Sequence, residues 1–258
     1  MNRINQLFNS DKKNLLSVYF CAGHPALDST VDIIRTLEKN GVDMVQIGIP
    51  SQVVTTDTAI LREAAACALK NGMTLKLLFE QVRHIRRTVN APLLLSGSIE
   101  TITGFGFESF CRKCVECGLD GIVIPDLLFD DYQKRFRIIA DRYGLLIIML
   151  ITPETSLERI EQIDKHSSGF IYASISISQE DEQKHAVHYK RDFFKKMKDM
   201  KLNNSLMVDI DINSKANLQL ISEYAAAGVI IDSYFVELLN EEKDAEQAIK
   251  KLFLRLKK

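Results

Sequence analysis

The chain has 258 residues, 46% of them hydrophobic and 26% charged, and its formal net charge is −1. That length can bury the core of one large domain, and the near-zero charge argues against a nucleic-acid-binding protein. No apolar run reaches the roughly 20 residues of a membrane span, and the N-terminal residues lack the apolar segment of a signal peptide. The five cysteines are an odd number without a disulfide-type spacing, so we expect a cytoplasmic α/β protein in a reducing environment.

Short apolar runs recur along the whole chain and predict eight strands. They are nearly continuous in Val, Ile and Leu, which is typical of strands buried on both faces. Amphipathic stretches that often end in glycine separate them and predict helices. Eight such units in about 250 residues predict a single (β/α)8 TIM barrel over residues 1–258, with a doubly wound open sheet as the alternative. The predicted strands are 15–21, 42–49, 92–97, 121–126, 145–151, 169–175, 205–212 and 228–233.

The prolines indicate where the functional residues should lie. Pro25, Pro50, Pro125 and Pro153 lie at or just beyond the C-terminal ends of predicted strands, and Pro92 begins one. Proline is tolerated at the ends of a strand but not in the middle of a hydrogen-bonded ladder. In a barrel, the C-terminal strand ends carry the chemistry, so we expect the site among the residues that follow these strands.

Several segments resemble the tryptophan synthase alpha subunit, over essentially the whole chain. They include YFCAGHP, VQIGIP, IVIPDL, IMLITPET and the RINQLF segment, which corresponds to an extra N-terminal helix. The resemblance implies a TIM barrel, without a cofactor of its own, that cleaves indole-3-glycerol phosphate to indole and glyceraldehyde 3-phosphate. It also implies a pyridoxal-phosphate beta subunit as partner. Val53 replaces an aspartate that faces the beta subunit in the family, and Leu128 replaces a nearby proline, so the docking surface is altered.

The residues that match the family's catalytic motif are also altered. Gln46 stands where the family has its catalytic glutamate, and an amide cannot shuttle the proton that carbon–carbon cleavage requires. Asp57 aligns with the second catalytic carboxylate and Tyr172 with the active-site tyrosine. Phe20 matches a phenylalanine that packs against the substrate. The resemblance therefore predicts a site whose lyase activity is lost.

The family's phosphate site is altered more severely. Its glycines on the last three strands and loops are replaced mainly by acids, and a tyrosine of the third strand is replaced by serine. Two like charges about 4 Å apart repel by roughly 4 kcal/mol at an effective dielectric constant near 20, so phosphate binding should be lost. The altered substrate-binding positions are Ser98, Glu180, Asp181, Asp209, Asp211 and Asp232, and Ser233 is a substrate-binding position that keeps the family's serine.

The new acidic residues leave several functions open. Asp209 and Asp211 are two apart on one predicted strand, so both should point the same way, and Glu100 and Asp126 follow other strands. Such a cluster could bind Mg²⁺ or Ca²⁺, cap helices, or form a protonated carboxylate pair. The corresponding functions are a divalent-metal-dependent enzyme and a non-catalytic binding or scaffold protein, which includes a redesigned barrel.

Three cysteines have the spacing C-x2-C-x2-C at Cys111, Cys114 and Cys117. That spacing occurs in iron–sulfur proteins, but no fourth ligand is apparent. The segment FESFCRKCVECG is predicted to be helical, which favours buried structural thiols.

Overall fold

Eight parallel strands form a closed barrel in a computed structural model of the chain. Each strand pairs with the next and β8 pairs with β1, so the predicted barrel is confirmed and the open sheet is excluded. The structure describes residues 2–52, 58–175, 185–209, 226–242 and 244–256, without the side chains of 185–190. The strands are β1 Leu15–Cys21, β2 Met44–Gly48, β3 Leu93–Ser96, β4 Gly121–Val123, β5 Leu146–Ile151, β6 Phe170–Ser174, β7 Ser205–Asp209 and β8 Gly228–Ile231.

Helices surround the barrel between these strands. The predicted extra helix precedes β1, and a single π-helical turn at 132–136 joins two helices after β4. The α-helices are α1 Arg3–Phe8, α2 Thr30–Lys39, α3 Ala59–Lys70, α4 Leu75–Val82, α5 Ile99–Phe105, α6 Phe107–Glu116, α7 Phe129–Asp131, α8 Arg137–Tyr143, α9 Leu157–His166, α10 His185–Met200, α11 Ser233–Glu242 and α12 Ala245–Leu256.

The prediction for β4 was too long at its C-terminal end. The strand ends at Val123 rather than at residue 126 because Pro125 has no N–H to donate to a ladder. A turn follows, in which the Leu127 N–H donates to the Ile124 carbonyl oxygen at 3.1 Å. The chain therefore leaves the barrel wall earlier, and Asp126 lies in a loop.

The apolar side chains form two layers that alternate along each strand. On β1, Leu15 lies in the barrel interior together with Met44 of β2, whereas Val18 and Phe20 pack outward among the helices. This alternation follows from the two-residue period of a strand. It decides which strand residues can reach a site at the mouth of the barrel.

The bottom of the barrel is closed by α1 and by one buried carboxylate. Ile4 of α1 is fully buried in the interior cluster. Asp120, just before β4, accepts hydrogen bonds from Arg86 at 2.5 Å, from Arg3 at 3.1 Å and from the Leu93 N–H at 2.9 Å. The Arg3–Asp120 ion pair joins the N-terminal helix to the barrel wall. This end of the barrel is therefore closed, and the open end is the opposite one.

Glycine permits the last strand to close on the first. A Cβ atom at Gly228 would lie 2.1 Å from the Leu15 carbonyl oxygen, a distance that no side chain tolerates. β8 and β1 therefore approach closely enough to complete the ladder, and the ends of β1 and β8 meet.

All five cysteines are free thiols. Cys111, Cys114 and Cys117 are buried in the outer apolar layer, as predicted for structural thiols. Burial raises the pKa of Cys111 to about 12, so that thiol stays protonated.

Across the part of the chain that the structure describes, no helix combines the length and the apolarity that crossing a bilayer requires.

Candidate active site

A cavity of about 380 Å³ lies at the C-terminal ends of the strands, where a barrel carries its chemistry. Its wall is mostly apolar, with a few polar side chains, which is the usual composition of a small-molecule site. The sequence-predicted residues Gln46, Ser98, Tyr172 and Asp232 come together in this wall. The polar side chains of the wall include Tyr19, Gln46, Arg62, Ser98, Tyr172 and Asp232.

Gln46 lies on β2 and is held by a neighbour on β1. Its Nε2 donates a hydrogen bond to Ser17 Oγ at 3.1 Å, and the side chain is only 1% exposed. Both side chains face the barrel interior. Because an amide does not titrate, residue 46 contributes neither a general acid nor a general base to this side of the cavity.

Tyr19 also lines the cavity, and its ring lies across Gly48 of the adjacent strand. A Cβ atom at Gly48 would lie 2.1 Å from Tyr19 Oη, so the ring occupies the space that any other residue at position 48 would fill. Burial raises the pKa of Tyr19 well above its ordinary value, and nearby Cys21 and Asp232 raise it further. Tyr19 therefore presents a neutral hydroxyl group to the cavity.

Tyr172 and Asp232 also line the cavity, and buried Asp209 interacts with both of them. Tyr172 of β6 hydrogen-bonds to Asp209 at the end of β7, and Asp232 follows β8. Burial raises the pKa of Asp209 well above its usual range, the Asp232 carboxylate raises it further, and the Tyr172 hydroxyl lowers it by donating a hydrogen bond. This arrangement disfavours two full negative charges and favours a shared proton, as the carboxylate-pair interpretation requires.

Other predicted polar residues have structural partners. Ser98 caps α5, because its Oγ accepts a hydrogen bond from the Thr101 N–H at 3.2 Å. The same residue also lines the cavity. Asp126 accepts from the Ile99 N–H at 2.9 Å and is thereby fixed at the same helix N-terminus. The capping interpretation therefore holds for Asp126, whereas exposed Glu100 lies in the first turn of α5.

The expectation that Phe20 packs against a substrate is corrected by its orientation. Phe20 is fully buried in the outer layer between strands and helices, and it does not line the cavity. Its neighbour Tyr19 has the inward position because successive strand residues point to opposite faces. The sequence contained a signal for this, since Leu15, Ser17 and Tyr19 share one face of β1.

The predicted site residue Ser233 lies at the start of α11. Its Oγ donates a hydrogen bond to Thr58 Oγ1 at 3.2 Å.

Part of the predicted site lies outside the described residues, namely Asp57, Glu180, Asp181 and Asp211. Among the residues that the structure does describe, no group of three or more His, Cys, Asp or Glu side chains is arranged to hold a metal ion. The Mg²⁺ or Ca²⁺ hypothesis therefore depends on acids beyond the described ranges.

The fold and this cavity define a class of protein: a (β/α)8 barrel with a small-molecule site at the C-terminal ends of its strands. The family model for the tryptophan synthase alpha chain matches residues 5–258. A relative from Bacteroides thetaiotaomicron, named tryptophan synthase alpha chain, is 57% identical over 252 residues, or 98% of both chains. A relative of the same name from Phocaeicola vulgatus is 48% identical over the full length of both. The chain therefore belongs to the tryptophan synthase alpha chain family.

Solved structures agree with this assignment. The alpha subunit of tryptophan synthase from Legionella pneumophila has a TM-score of 0.83 at 27% identity, covering 96% of this chain and 94% of that one. A chain of the tryptophan synthase complex from Pyrococcus furiosus has a TM-score of 0.80 at 27% identity, covering 93% and 96%.

Proposed function

We propose that this chain is a small-molecule-binding member of the alpha family that lacks the family's lyase activity. The observation that carries the proposal is Gln46. The resemblance puts a catalytic glutamate at this position, and here an amide is buried in the cavity wall and donates to Ser17. Carbon–carbon cleavage needs a group that accepts and returns a proton, and an amide at this position cannot do so.

The opposite end of the cavity supports the same proposal. The family's phosphate-binding glycines correspond here to Asp209 and Asp232, which lie beside Tyr172. A phosphate dianion brought to this end would meet carboxyl groups instead of backbone N–H groups. The cavity has a volume and an apolar wall that suit a small molecule. Its wall also holds the cation Arg62, so the opposition to an anion is local to the surroundings of Asp232.

The test is an assay of indole release from indole-3-glycerol phosphate. We expect no release above background, with the Bacteroides thetaiotaomicron relative as the positive control. Indole release by this chain that disappears in a Tyr172→Phe, Asp57→Asn double variant would contradict the proposal.

We further propose a tryptophan synthase beta subunit as its partner, bound more weakly than by relatives with the family's docking residues. Leu128 replaces a proline near the family's docking aspartate, lies in the loop after β4 and is 70% exposed. An apolar side chain this exposed suits a surface that a partner covers. In sedimentation with a beta subunit, Leu128→Pro should tighten the complex, and the absence of any complex with either chain would refute the partner.

A further inference from the structure

We propose that one side of the cavity, formed by β1, β2 and β3, binds an uncharged carboxamide or lactam group whose apolar body lies against α3. The side chains that would contact this group are Tyr19, Gln46 and Ser96, which we call the neutral polar patch. This inference rests on the proposed function, because a site with an amide at residue 46 binds a ligand without cleaving it. It assigns the class of small molecule that the barrel binds.

The neutral polar patch surrounds Gly48, which has no side chain of its own. The Tyr19 ring fills the space that a side chain at position 48 would occupy. Ser96 of β3 is the register partner of Gly48, and Gln46 lies two residues before Gly48 on the same face of β2. Strand residues two apart are separated by about 6.6 Å and neighbouring strands by about 4.8 Å, so one small group can contact all three side chains.

Each side chain of the patch keeps a hydrogen-bonding atom for a ligand. Gln46 donates from Nε2 to Ser17 Oγ, which leaves its carbonyl oxygen Oε1 as an acceptor. Among the residues that the structure describes, Gln46 Oε1 and the hydroxyls of Tyr19 and Ser96 have no hydrogen-bond partner. None of these three atoms belongs to the unpartnered polar atoms that are completely enclosed, so a ligand in the cavity can reach them.

Other polar side chains of the wall are already engaged. The Tyr172 hydroxyl donates to Asp209, and Ser98 caps α5. Arg62 and Asp232 are the charged residues of the described wall, and each of them has interactions of its own. One cation and one anion leave this wall without a net formal charge, so it favours an uncharged ligand.

A carboxamide matches the patch because it combines N–H donors and a carbonyl acceptor in one uncharged group. Its N–H would donate to Gln46 Oε1, and its oxygen would accept from the hydroxyl of Tyr19 or Ser96. Burial raises the pKa of Tyr19 well above its ordinary value, so this hydroxyl keeps the proton that it donates. A ketone lacks the N–H and leaves Gln46 Oε1 without a donor. A charged group would lose its hydration among neutral partners, which costs more than burying an amide.

The remaining wall specifies the body of the ligand. Leu61, Ala65 and Leu69 of α3 line the cavity, together with Val123 of β4 and Leu150 of β5. The cavity volume of about 380 Å³ is within the range of small-molecule sites. The cavity therefore fits an amide carried on one aromatic ring or on a short aliphatic chain.

The experiment compares four probes that share one phenylalkyl body: hydrocinnamamide, benzylacetone, hydrocinnamate and 3-phenylpropylamine. Benzylacetone has a methyl group in place of the amide nitrogen and thus removes only the donor. Ligand-observed NMR titration at neutral pH should show the amide bound at least about fivefold more tightly than benzylacetone. The carboxylate and the amine should both bind at least about tenfold more weakly than the amide.

Variants separate the two halves of the recognition. Gln46→Met removes the acceptor at similar volume, so the affinity for the amide should fall to that for benzylacetone. The double variant Tyr19→Phe, Ser96→Ala removes the hydroxyl donors and should weaken both probes by at least about threefold without changing their ratio. The matched control is Gln81→Met on α4, which lies outside the cavity wall and should leave both affinities unchanged.

Equal binding of the amide and benzylacetone, tighter binding of a charged probe, or failure of every probe to bind would overturn the inference. An amide preference that survives Gln46→Met would also overturn it. If Gln46→Met does not fold, as judged by circular dichroism, the wild-type comparison and the hydroxyl variant still decide. Indole release in the lyase assay would instead refute the proposed function, so the two failures are distinguishable.

Discussion

Asp209→Asn should stabilise the protein, and the gain should increase with pH. In the folded state, burial and the neighbouring Asp232 carboxylate raise the pKa of Asp209 well above its usual range. An unfolded aspartate has a pKa near about 3.9, so between these two values the unfolded state binds fewer protons and stability falls as pH rises. The loss approaches about 1.4 kcal/mol per pH unit for one group. Asparagine removes it and can still accept the Tyr172 hydrogen bond.

Urea unfolding followed by circular dichroism at pH 5, 6, 7 and 8 measures this difference. The free energy of unfolding should fall more steeply with pH for the wild-type chain than for Asp209→Asn, and the variant should be the more stable at pH 8. Parallel curves for wild type and Asp209→Asn, or a less stable variant at pH 8, would show that Asp209 is ionised in the folded protein.

Three further predictions concern other parts of the barrel. Gly48→Ala should destabilise the protein by about 1–3 kcal/mol in thermal melts, because its Cβ would displace the Tyr19 ring, whereas Gly104→Ala, in open space on α5, should be neutral or stabilising. Asp120→Ala should cost about 3–5 kcal/mol in urea unfolding, since it leaves two arginine side chains without their buried acceptor, and a loss below about 1 kcal/mol would contradict that role. Gln46→Glu alone should not produce indole release, because the acid pair still opposes the phosphate; turnover at an ordinary KM would show that the acids do not face the substrate.

The fold could be predicted almost entirely from the chain. The boundaries of β1 agree with the predicted run 15–21, and β5 and β6 begin one residue late at most. Runs of Val, Ile and Leu indicate strands that are buried on both faces, and proline and glycine indicate where a strand ladder or a helix ends. These effects act between residues a few positions apart, so a sequence pattern expresses them directly.

The sequence predicted where the residues of the site lie in the fold, but not the chemical role of each one. Gln46, Ser98, Tyr172 and Asp232 meet in one cavity, as expected for residues at the ends of strands. The chemical role of each depended on its partners, however, and Ser98 serves as a helix cap as well as a wall residue. A strand end can be read from a local pattern, but a hydrogen-bond partner from another strand cannot.

The amino-acid sequence by itself determined the barrel, the extra N-terminal helix and the presence of an amide, which does not titrate, at residue 46. Only the tertiary structure decided that Tyr19 rather than Phe20 faces the cavity, that Asp126 caps a helix, and that Asp209 is buried beside Asp232. The physical reason is that these contacts join different strands. β6, β7 and β8 become neighbours only when the sheet assembles, and closure of the barrel then brings β8 beside β1. The pKa of a carboxyl group depends on the groups that these strand pairings bring near it.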